Sequence, residues 1–154
     1  MKLKVKLDPG AQMPTRAHET DAGLDLYAPY PFVLPQSSAS TEETLDGFLA
    51  KAGSRTVDTG VHIEIPAGYV GMIKSKSGLN VKHGIISEGV IDSGYTGSIC
   101  VKLYNLGNDR VFIEKGQKIS QLVIMPIITP ELEEVDDLEA TERGNGGFGS
   151  TGAF

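Results

Sequence analysis

Residues 61–73, VHIEIPAGYVGMI, contain the pattern that decides the fold class. In the first five residues, apolar Val61, Ile63 and Ile65 alternate with polar side chains, which is the period of a strand with one buried face. PAGY supplies the proline and glycine of a turn, and YVGMI follows as a second apolar arm. The stretch therefore predicts two β-strands joined by a short turn.

The same alternation recurs in KLKVKL (2–7), GSICVKLYN (97–105) and RVFIEKGQKISQLVIMPII (110–128). The last of these predicts two strands with a turn at Lys115–Gly116. The chain has 19 glycines and 8 prolines in 154 residues, which indicates many turns between short elements. Short strands separated by turns predict one all-β domain, an antiparallel barrel or sandwich.

One segment, SASTEETLDGFLAKAG (38–53), departs from the strand pattern. Ser40 and Glu43 have the spacing of a capping box, and Leu45, Phe48 and Leu49 follow at helical intervals. The pattern predicts a short amphipathic helix at 41–52, inserted into the β-framework. This insert is expected to be a surface decoration or a site for a protein partner.

Charge and cysteine content restrict the classes of function. The net charge is −6 and no basic cluster is present, whereas a duplex-binding protein presents a basic surface, so direct nucleic-acid binding is not expected. Cys100 is the only cysteine, which excludes an internal disulfide. Its place in a strand-like run predicts a small buried side chain.

The chain offers no sign of membrane insertion. MKLKVKLDPG, at the N-terminus, lacks the apolar stretch of a signal peptide. No apolar run approaches the roughly 20 residues that span a bilayer. The sequence therefore predicts a soluble cytoplasmic protein.

The stretch RGNGGFGSTG (143–152) has a composition suited to a nucleoside phosphate. Glycines allow successive N–H groups to face one anion, and Arg143 offers a fork for phosphate oxygens. Ser150 and Thr151 add hydroxyl donors, and Phe148 offers a ring on which a base can stack. The alternatives are a frayed chain end and, because GNGGFG matches G-x-G-x-x-G, a dinucleotide site, which would need a strand before it and a helix after it.

Two segments combine charged and permissive residues. GLDLYA (23–28) places the carboxylate of Asp25 between apolar residues, either in a strand or as a turn former. KSKSGLNVKHG (74–84) aligns Lys76, Ser77 and Gly78, which supply a cation, a hydroxyl and a free backbone amide. That set makes a phosphate cradle, and the alternative is a lysine-rich surface loop.

Two further segments carry polar groups in strand-like surroundings. GVIDSGYTG (89–97) predicts a hairpin in which Asp92 and Tyr95 flank the turn. KGQKISQLVI (115–124) places Gln121 within an apolar run, where its amide needs partners. These groups serve either the fold or a bound ligand and water.

Taken in order, AGLDLYA, SKSGL, GVIDSGYTG, KGQKISQL and RGNGGFGSTG resemble the five motifs of the trimeric dUTPase family, the dUTP nucleotidohydrolases, over about residues 15–152. The resemblance implies a jelly-roll-like β-barrel in one domain, residues 1–142, followed by a flexible arm, residues 143–154. It also implies a homotrimer whose three active sites each draw on all three chains. The implied reaction converts dUTP and water to dUMP and pyrophosphate, which limits uracil incorporation into DNA and supplies dUMP.

The resemblance also implies roles for single residues. Asp92 orients and deprotonates the attacking water, Gln121 helps to position it, and Asp25 holds water bound to a Mg²⁺ cofactor that the triphosphate itself ligates. Tyr95 packs on the deoxyribose where a ribonucleotide carries its 2′-hydroxyl, and Phe148 stacks on uracil. Substrate binding is implied for Lys76, Ser77, Gly78, Val90, Ile91, Tyr95, Cys100, Arg143, Phe148, Gly149, Ser150 and Thr151.

Two departures from the family pattern bear on substrate contacts. The family usually has arginine where Lys76 stands, so a bidentate grip becomes a point charge. The short segment IISEG (85–89) lacks the asparagine often used to read uracil. Recognition of uracil is then expected from main-chain groups at 87–91 and near Cys100.

Two alternatives to dUTP hydrolysis remain at this point. A dCTP deaminase would share the fold, but Lys102 stands about where its acid would be, and the three histidines have no zinc-ligand spacing. A nucleotide-binding regulatory protein could use the same pocket and signal through a partner at the insert 38–53.

Overall fold

The structure is a computed structural model that describes residues 2–37 and 52–147. Except for Ala52, the helix expected at 41–52 lies outside the described residues. Phe148, Gly149, Ser150 and Thr151 also lie outside them.

The described residues form ten strands and one short helix, which confirms the all-β prediction. The strands are β1 (Lys4–Leu7), β2 (Gly23–Tyr27), β3 (Phe32–Leu34), β4 (Gly53–Asp58), β5 (Val61–Glu64), β6 (Tyr69–Ser75), β7 (Ile85–Ile91), β8 (Cys100–Asn105), β9 (Val111–Ile113) and β10 (Lys118–Pro126), and the helix is α1 (Ser77–His83). None of the helical segments in these residues has the length and hydrophobicity needed to span a bilayer.

All strand pairs are antiparallel, and they form three sheets. The largest sheet has the strand order β2-β10-β6-β7-β8-β4, and two ribbons, β1-β5 and β3-β9, complete the fold. The two arms of the stretch 61–73 are both strands, but they pair with different partners: β5 with β1, and β6 with β10 and β7. The strands on either side of the Lys115–Gly116 turn, where Gly116 has a φ of +79°, also have different partners. Strand β9 pairs with β3, and β10 pairs with β2 and β6.

One hydrophobic core lies between the sheets, and the alternating residues of the sequence supply it. Ile99, Val101 and Leu103 each expose at most 1% of their surface, whereas Cys100 and Tyr104 are exposed. The expectation of a buried Cys100 is therefore wrong, because the alternation of β8 turns it away from the core. The fully buried side chains are Leu26, Leu34, Val57, Val61, Ile73, Ile85, Ile99, Val101, Leu103, Ile113, Ile119 and Leu122.

Helix α1 forms within KSKSGLNVKHG (74–84), the segment for which the sequence left open a phosphate cradle or a lysine-rich surface loop. Its one buried side chain, Leu79, attaches it to the core. Gly84 ends the helix in the left-handed region with φ +67°, and its N–H donates to the Asn80 carbonyl at 2.8 Å. The helix therefore begins at Ser77, within the segment that the sequence assigns to phosphate binding.

Candidate active site

A row of four polar residues crosses the large sheet. Asp25 on β2 lies opposite Gln121 on β10, Gln121 lies opposite Lys74 on β6, and Lys74 lies opposite Glu88 on β7. Opposed residues of neighbouring strands point to the same face of a sheet. The next row contains buried Leu122 and Ile73, so the polar row lies on the face away from the core.

Asp25 is the most deeply buried member of this row. Its side chain is 4% exposed, and its two oxygens accept hydrogen bonds from different lysines. Oδ1 lies 2.7 Å from Lys76 Nζ, and Oδ2 lies 2.6 Å from Lys118 Nζ. Burial alone would raise the pKa of Asp25, but the hydrogen bonds from Lys118 and Lys76 outweigh it and hold that pKa below its usual value.

A β-bulge directs Lys118 toward Asp25. In a regular strand, Lys118 and Gln121 would point to opposite faces because three positions separate them. The register of β10 against β2 shifts between Lys118 and Ser120, which places Lys118 on the same face as Gln121. The hydrogen bond to Asp25 raises the pKa of Lys118, so this lysine stays charged.

Gln121 is held between β2 and β6. Its Nε2 donates to the Ser75 carbonyl at 3.0 Å. A Cβ atom on Gly23 would collide with Gln121 Oε1, so glycine is required at that position for the amide to lie across β2. Gln121 thus has a partner of its own in the fold, and its carbonyl oxygen lies over Gly23.

Three buried or half-buried hydroxyls connect the strands below the site. Ser87 Oγ and Ser120 Oγ lie 2.8 Å apart, and Ser120 donates to the Lys74 carbonyl at 2.9 Å. Ser75 Oγ accepts the Ser87 N–H at 2.9 Å. These bonds fasten β6 to β7 and β10 immediately before Lys76, and they rigidify the segment that enters α1.

A pocket of about 320 Å³ opens beside this cluster. Lys76 and Lys118 each have three N–H donors, of which Asp25 uses one, and both side chains reach solvent. Gly78 has open space where a side chain would stand. Lys76 therefore keeps donors for an anion in the pocket, which is lined by Ala17, Asp21, Ala22, Gly23, Asp25, Lys74, Lys76, Gln121 and Val123.

The predicted hairpin is formed by β7 and β8, and its two arms separate near the turn. They pair only from Ile85–Asn105 to Ser87–Leu103. Beyond that, residues 88–91 pair with β6 on one side, and residues 100–102 pair with β4 on the other. The main-chain edges that face each other across this gap are not joined by strand pairing, which leaves donors and acceptors for a flat polar ligand.

The turn at the tip of the hairpin carries Asp92 and Tyr95 at its two ends. The Tyr95 N–H donates to the Asp92 carbonyl at 3.2 Å, and Gly94 has a φ of +87°, as in a type II turn. The Tyr95 hydroxyl donates to the Ser98 carbonyl at 2.9 Å, and its ring covers Gly97, where any Cβ would overlap it. Both side chains are exposed.

Proteins with similar sequences indicate the family of this chain. A family model described as dUTPase matches residues 10–152. The chain belongs to the dUTPase family. It is 42% identical to the deoxyuridine 5′-triphosphate nucleotidohydrolase of Clostridium kluyveri over the whole of both chains. The rat enzyme of the same name is 42% identical over 96% of this chain, which spans 65% of the rat enzyme's length.

Solved dUTPase structures share the fold. The dUTPase of Staphylococcus bacteriophage 80alpha with dUPNHPP superposes with a TM-score of 0.83 at 34% identity, covering 98% of each chain. A mutant dUTPase of phage phi11, described as revealing the coordination of a structural Mg(II) ion, gives a TM-score of 0.75 at 29% identity, covering 91% of this chain and 100% of the other. The predicted family, jelly-roll-like β fold and enzyme class, a dUTP nucleotidohydrolase, are confirmed.

Within one chain, the motifs of this dUTPase-family protein form two separate groups. Asp25, Lys76 and Gln121 meet at the pocket, with Ser77 and Gly78 next in the chain. Asp92 follows β7, three strands from β2 and four residues beyond Glu88. Strand spacings of about 4.8 Å and rises of about 3.3 Å per residue place Asp92 roughly 15–20 Å from Asp25. A single chain therefore does not bring all the predicted residues together.

Arg143 also lies apart from both groups in its contacts. Its Nε donates to the Gly146 carbonyl at 2.9 Å, within a turn of the arm itself. Residues 127–147 contain neither helix nor strand. The segment 127–142, which leads from β10 to the predicted arm, and the described part of the arm thus have no place in the sheets of their own chain.

Sequence reasoning did not assign Lys74 and Lys118 to the site. Lys74 stands in the segment KSKSGLNVKHG and Lys118 in the motif KGQKISQL, but neither pattern indicates where the lysine side chain points. The bulge that turns Lys118 and the strand order that places Lys74 beside Gln121 appear only in the folded chain.

Proposed function

We propose that this chain hydrolyses dUTP to dUMP and pyrophosphate at sites that separate copies of the chain build together in a homotrimer. The observation that carries the proposal is the division of the motifs into a lysine-lined pocket and a splayed hairpin that one chain cannot bring together. A neighbouring chain that brings its hairpin to this pocket would complete the site. Shared sites of this kind need a closed symmetric assembly.

The pocket suits the triphosphate. Lys76 and Lys118 are held by Asp25 with donors to spare, and Ser77 and Gly78 follow with a hydroxyl and a backbone amide. Fixed donors of this kind stabilise the charge that develops on phosphate oxygens without reorganisation during the reaction. We assign these four residues to the phosphates and Gln121 to the attacking water.

The splayed hairpin suits the nucleoside. Main-chain groups of residues 88–91, including Val90 and Ile91, face those of residues 100–102 across the gap between the two arms, and we assign the hydrogen bonds to the pyrimidine to these groups. Cys100 begins the opposite edge, with its thiol turned outward. Tyr95 presents its ring beside this gap, where it would pack on deoxyribose and clash with a 2′-hydroxyl.

Asp92 is proposed as the base. Its carboxylate stands exposed at the start of the turn, free to accept a proton from water. The water oxygen forms a bond to the α-phosphorus as the bond from that phosphorus to the bridging oxygen breaks. The water proton passes to Asp92, and pyrophosphate leaves. Positioning and charge stabilisation carry such a reaction, so no covalent intermediate is needed.

Mg²⁺ is proposed as a cofactor that enters with the triphosphate. No group of three His, Cys, Asp or Glu side chains in residues 2–37 and 52–147 could hold a metal ion. Asp25, assigned to metal-bound water from the sequence, has both oxygens engaged by lysine, so it fits the positioning of Lys76 and Lys118 better. When bound, the ion would neutralise phosphate charge.

The arm is proposed to close over a site formed by other chains. In the segment between β10 and the arm, Ile128 is 90% exposed and Leu132 is 96% exposed, so this segment offers apolar side chains to a neighbouring chain. Packing along a neighbouring chain would bury them and carry Arg143 onward to the phosphates. Phe148, Gly149, Ser150 and Thr151 would follow it, with the Phe148 ring on uracil.

Substrate assays of the purified protein with Mg²⁺ test the function. We expect pyrophosphate release from dUTP, and little from dTTP, UTP or dCTP. Asp92→Asn is expected to lower kcat by at least about a hundredfold while dUPNHPP still binds, because only the base is lost. Asp109→Asn, an exposed aspartate outside the site, is the matched control. Normal turnover by Asp92→Asn, or ammonia release from dCTP, would contradict the assignment.

A regulatory activity is a second candidate, supported by one relative. The description of the phage 80alpha structure states that phage dUTPases control transfer of virulence genes by a proto-oncogenic G protein-like mechanism. For this chain, turnover of dUTP at an enzymatic rate would exclude a pure sensor. A protein partner that binds only with dUPNHPP present, and no longer after deletion of residues 38–51, would establish the second activity.

A further inference from the structure

His62 lies where three parts of the chain meet. It stands on β5, and its ring reaches Asp8, which follows β1, and Thr96, in the turn that carries Asp92 and Tyr95. Nδ1 lies 2.8 Å from the Thr96 carbonyl oxygen, and Nε2 lies 3.1 Å from Asp8 Oδ2. The side chain is 17% exposed, the contact with Asp8 is half-buried, and the contact with Thr96 lies at the surface.

Both atoms that face the ring are oxygen acceptors. A neutral imidazole has one N–H donor, so it can satisfy only one of them, whereas the imidazolium ion satisfies both. The geometry therefore selects the protonated ring. These hydrogen bonds, and the charge of Asp8, raise the pKa of His62 above its usual value.

The other contacts of this segment hold its far end. Ser98 Oγ donates to Asp58, and the Ile99 N–H donates to the Val61 carbonyl at 2.8 Å. Thr59 Oγ1 donates to the Ile99 carbonyl at 2.7 Å. Among the described residues, the hydrogen bond at Thr96 is the one that joins the β1-β5 ribbon to the residues directly after Tyr95, so it restrains the tip of the hairpin.

We propose that His62, in its protonated form, is a positioning residue that holds the turn carrying Asp92 and Tyr95 against the β1-β5 ribbon. The inference rests on the proposed role of Asp92 as the base. His62 touches neither substrate nor reacting atoms, and it acts through the orientation of the turn.

The direction of the pH effect follows from the groups around the ring. Asp8 is a carboxylate and a stronger acceptor than a carbonyl, so Nε2 keeps its proton and Nδ1 loses one when His62 titrates. The contact with Thr96 is therefore complete below the usual histidine pKa and is lost as pH rises through the raised pKa. The charged groups on the elements packed around His62 are Lys4, Lys6, Asp8, Asp58, Glu64 and Asp92.

Two substitutions separate the two contacts. The amide nitrogen of asparagine occupies a place near Nδ1, so His62→Asn keeps donation to Thr96 at every pH, whereas the longer His62→Gln keeps only the contact with Asp8. Between about pH 6 and pH 9, the kcat of the natural protein should fall about three- to tenfold relative to His62→Asn. His62→Gln should match the natural protein at the alkaline end and fall below it at the acid end.

His83→Gln is the matched control, because His83 is an exposed histidine at the end of α1 and should leave the profile unchanged. Protection from hydrogen exchange over residues 92–99 gives a second reading that does not depend on turnover. Protection should fall with rising pH in the natural protein and stay level in His62→Asn. Equal pH dependence of kcat or of protection in these two proteins would overturn the proposal. Failure of the proposed function would appear separately, as turnover by Asp92→Asn.

Discussion

Among single residues, Asp25 has the largest share of the electrostatic organisation of the pocket. Both of its oxygens accept a charged hydrogen bond, and the two lysines come from different elements, the N-cap of α1 and strand β10. Removal of a buried carboxylate leaves each ammonium without its fixed acceptor. Lys76 and Lys118 would then lose the acceptor that holds both side chains in place, and with it their proposed contacts with the phosphates.

Asp25→Asn should lower the free energy of unfolding by about 1–3 kcal/mol at neutral pH, because charged hydrogen bonds become neutral or are lost. Since the pKa of Asp25 is held below its usual value, its contribution is complete above about pH 4 and is lost as pH falls through the lower folded-state pKa. Urea unfolding at fixed protein concentration measures the difference at each pH.

Glu88→Gln is the control for this variant, because Glu88 belongs to the same row but pairs with Lys74 in solvent. That exposed pair should change stability by less than about 0.5 kcal/mol. A pH-independent deficit for Asp25→Asn, or a deficit no larger than that of the control, would contradict the role given to Asp25.

Single residues also show how much of the site could be predicted from the sequence. Asp25 and Lys76 stand in recognisable motifs, and the structure joins them by an ion pair. Lys118 could not be assigned to Asp25, because alternation places it on the other face and only the bulge reverses that direction. The environment of Asp25 depends on three elements at once, which no local pattern encodes.

Among the elements, β2 and β10 depend on each other at Gly23. A Cβ at this position would collide with Gln121 Oε1. Gly23→Ala should displace the Gln121 amide from the Ser75 carbonyl and cost about 1 kcal/mol of stability. In a Gln121→Ala background, the cost of Gly23→Ala should fall by at least about 0.5 kcal/mol. Additive effects of the two substitutions in urea unfolding would show that the collision is not the cause.

Element types follow from local patterns more closely than element partners do. The alternating stretches all became strands, because a period of two buries one face. The pairing of β5 with β1 and of β6 with β10 and β7 depends on the whole chain, since a turn fixes neighbours in sequence only. Helix α1 was not expected because a seven-residue helix carries only two turns of pattern and one buried anchor, Leu79.

At the scale of the whole molecule, three features support the proposal that copies of the chain build the site together. Asp92 at the tip of the hairpin lies roughly 15–20 Å from Asp25 in the pocket, and the segment after β10 carries exposed apolar side chains. The pocket and the hairpin cannot act on one substrate within a single chain, and exposed apolar side chains are unfavourable in water. Association of copies of the chain would account for the pocket, the hairpin and the apolar segment together. We expect residues 1–142 alone to fold and form a trimer but to have lost most activity, as sedimentation and turnover would measure.

Subunit mixing tests the shared site most directly. Asp92→Asn chains and chains ended before Arg143 would each form inactive homotrimers, and refolding them together gives mixed trimers. If one chain supplies Asp92 and another supplies the arm, about a quarter of the sites regain both, so about a quarter of natural activity should return. Mixed trimers with no more activity than the separate homotrimers would show that one chain provides both parts, which contradicts the shared site.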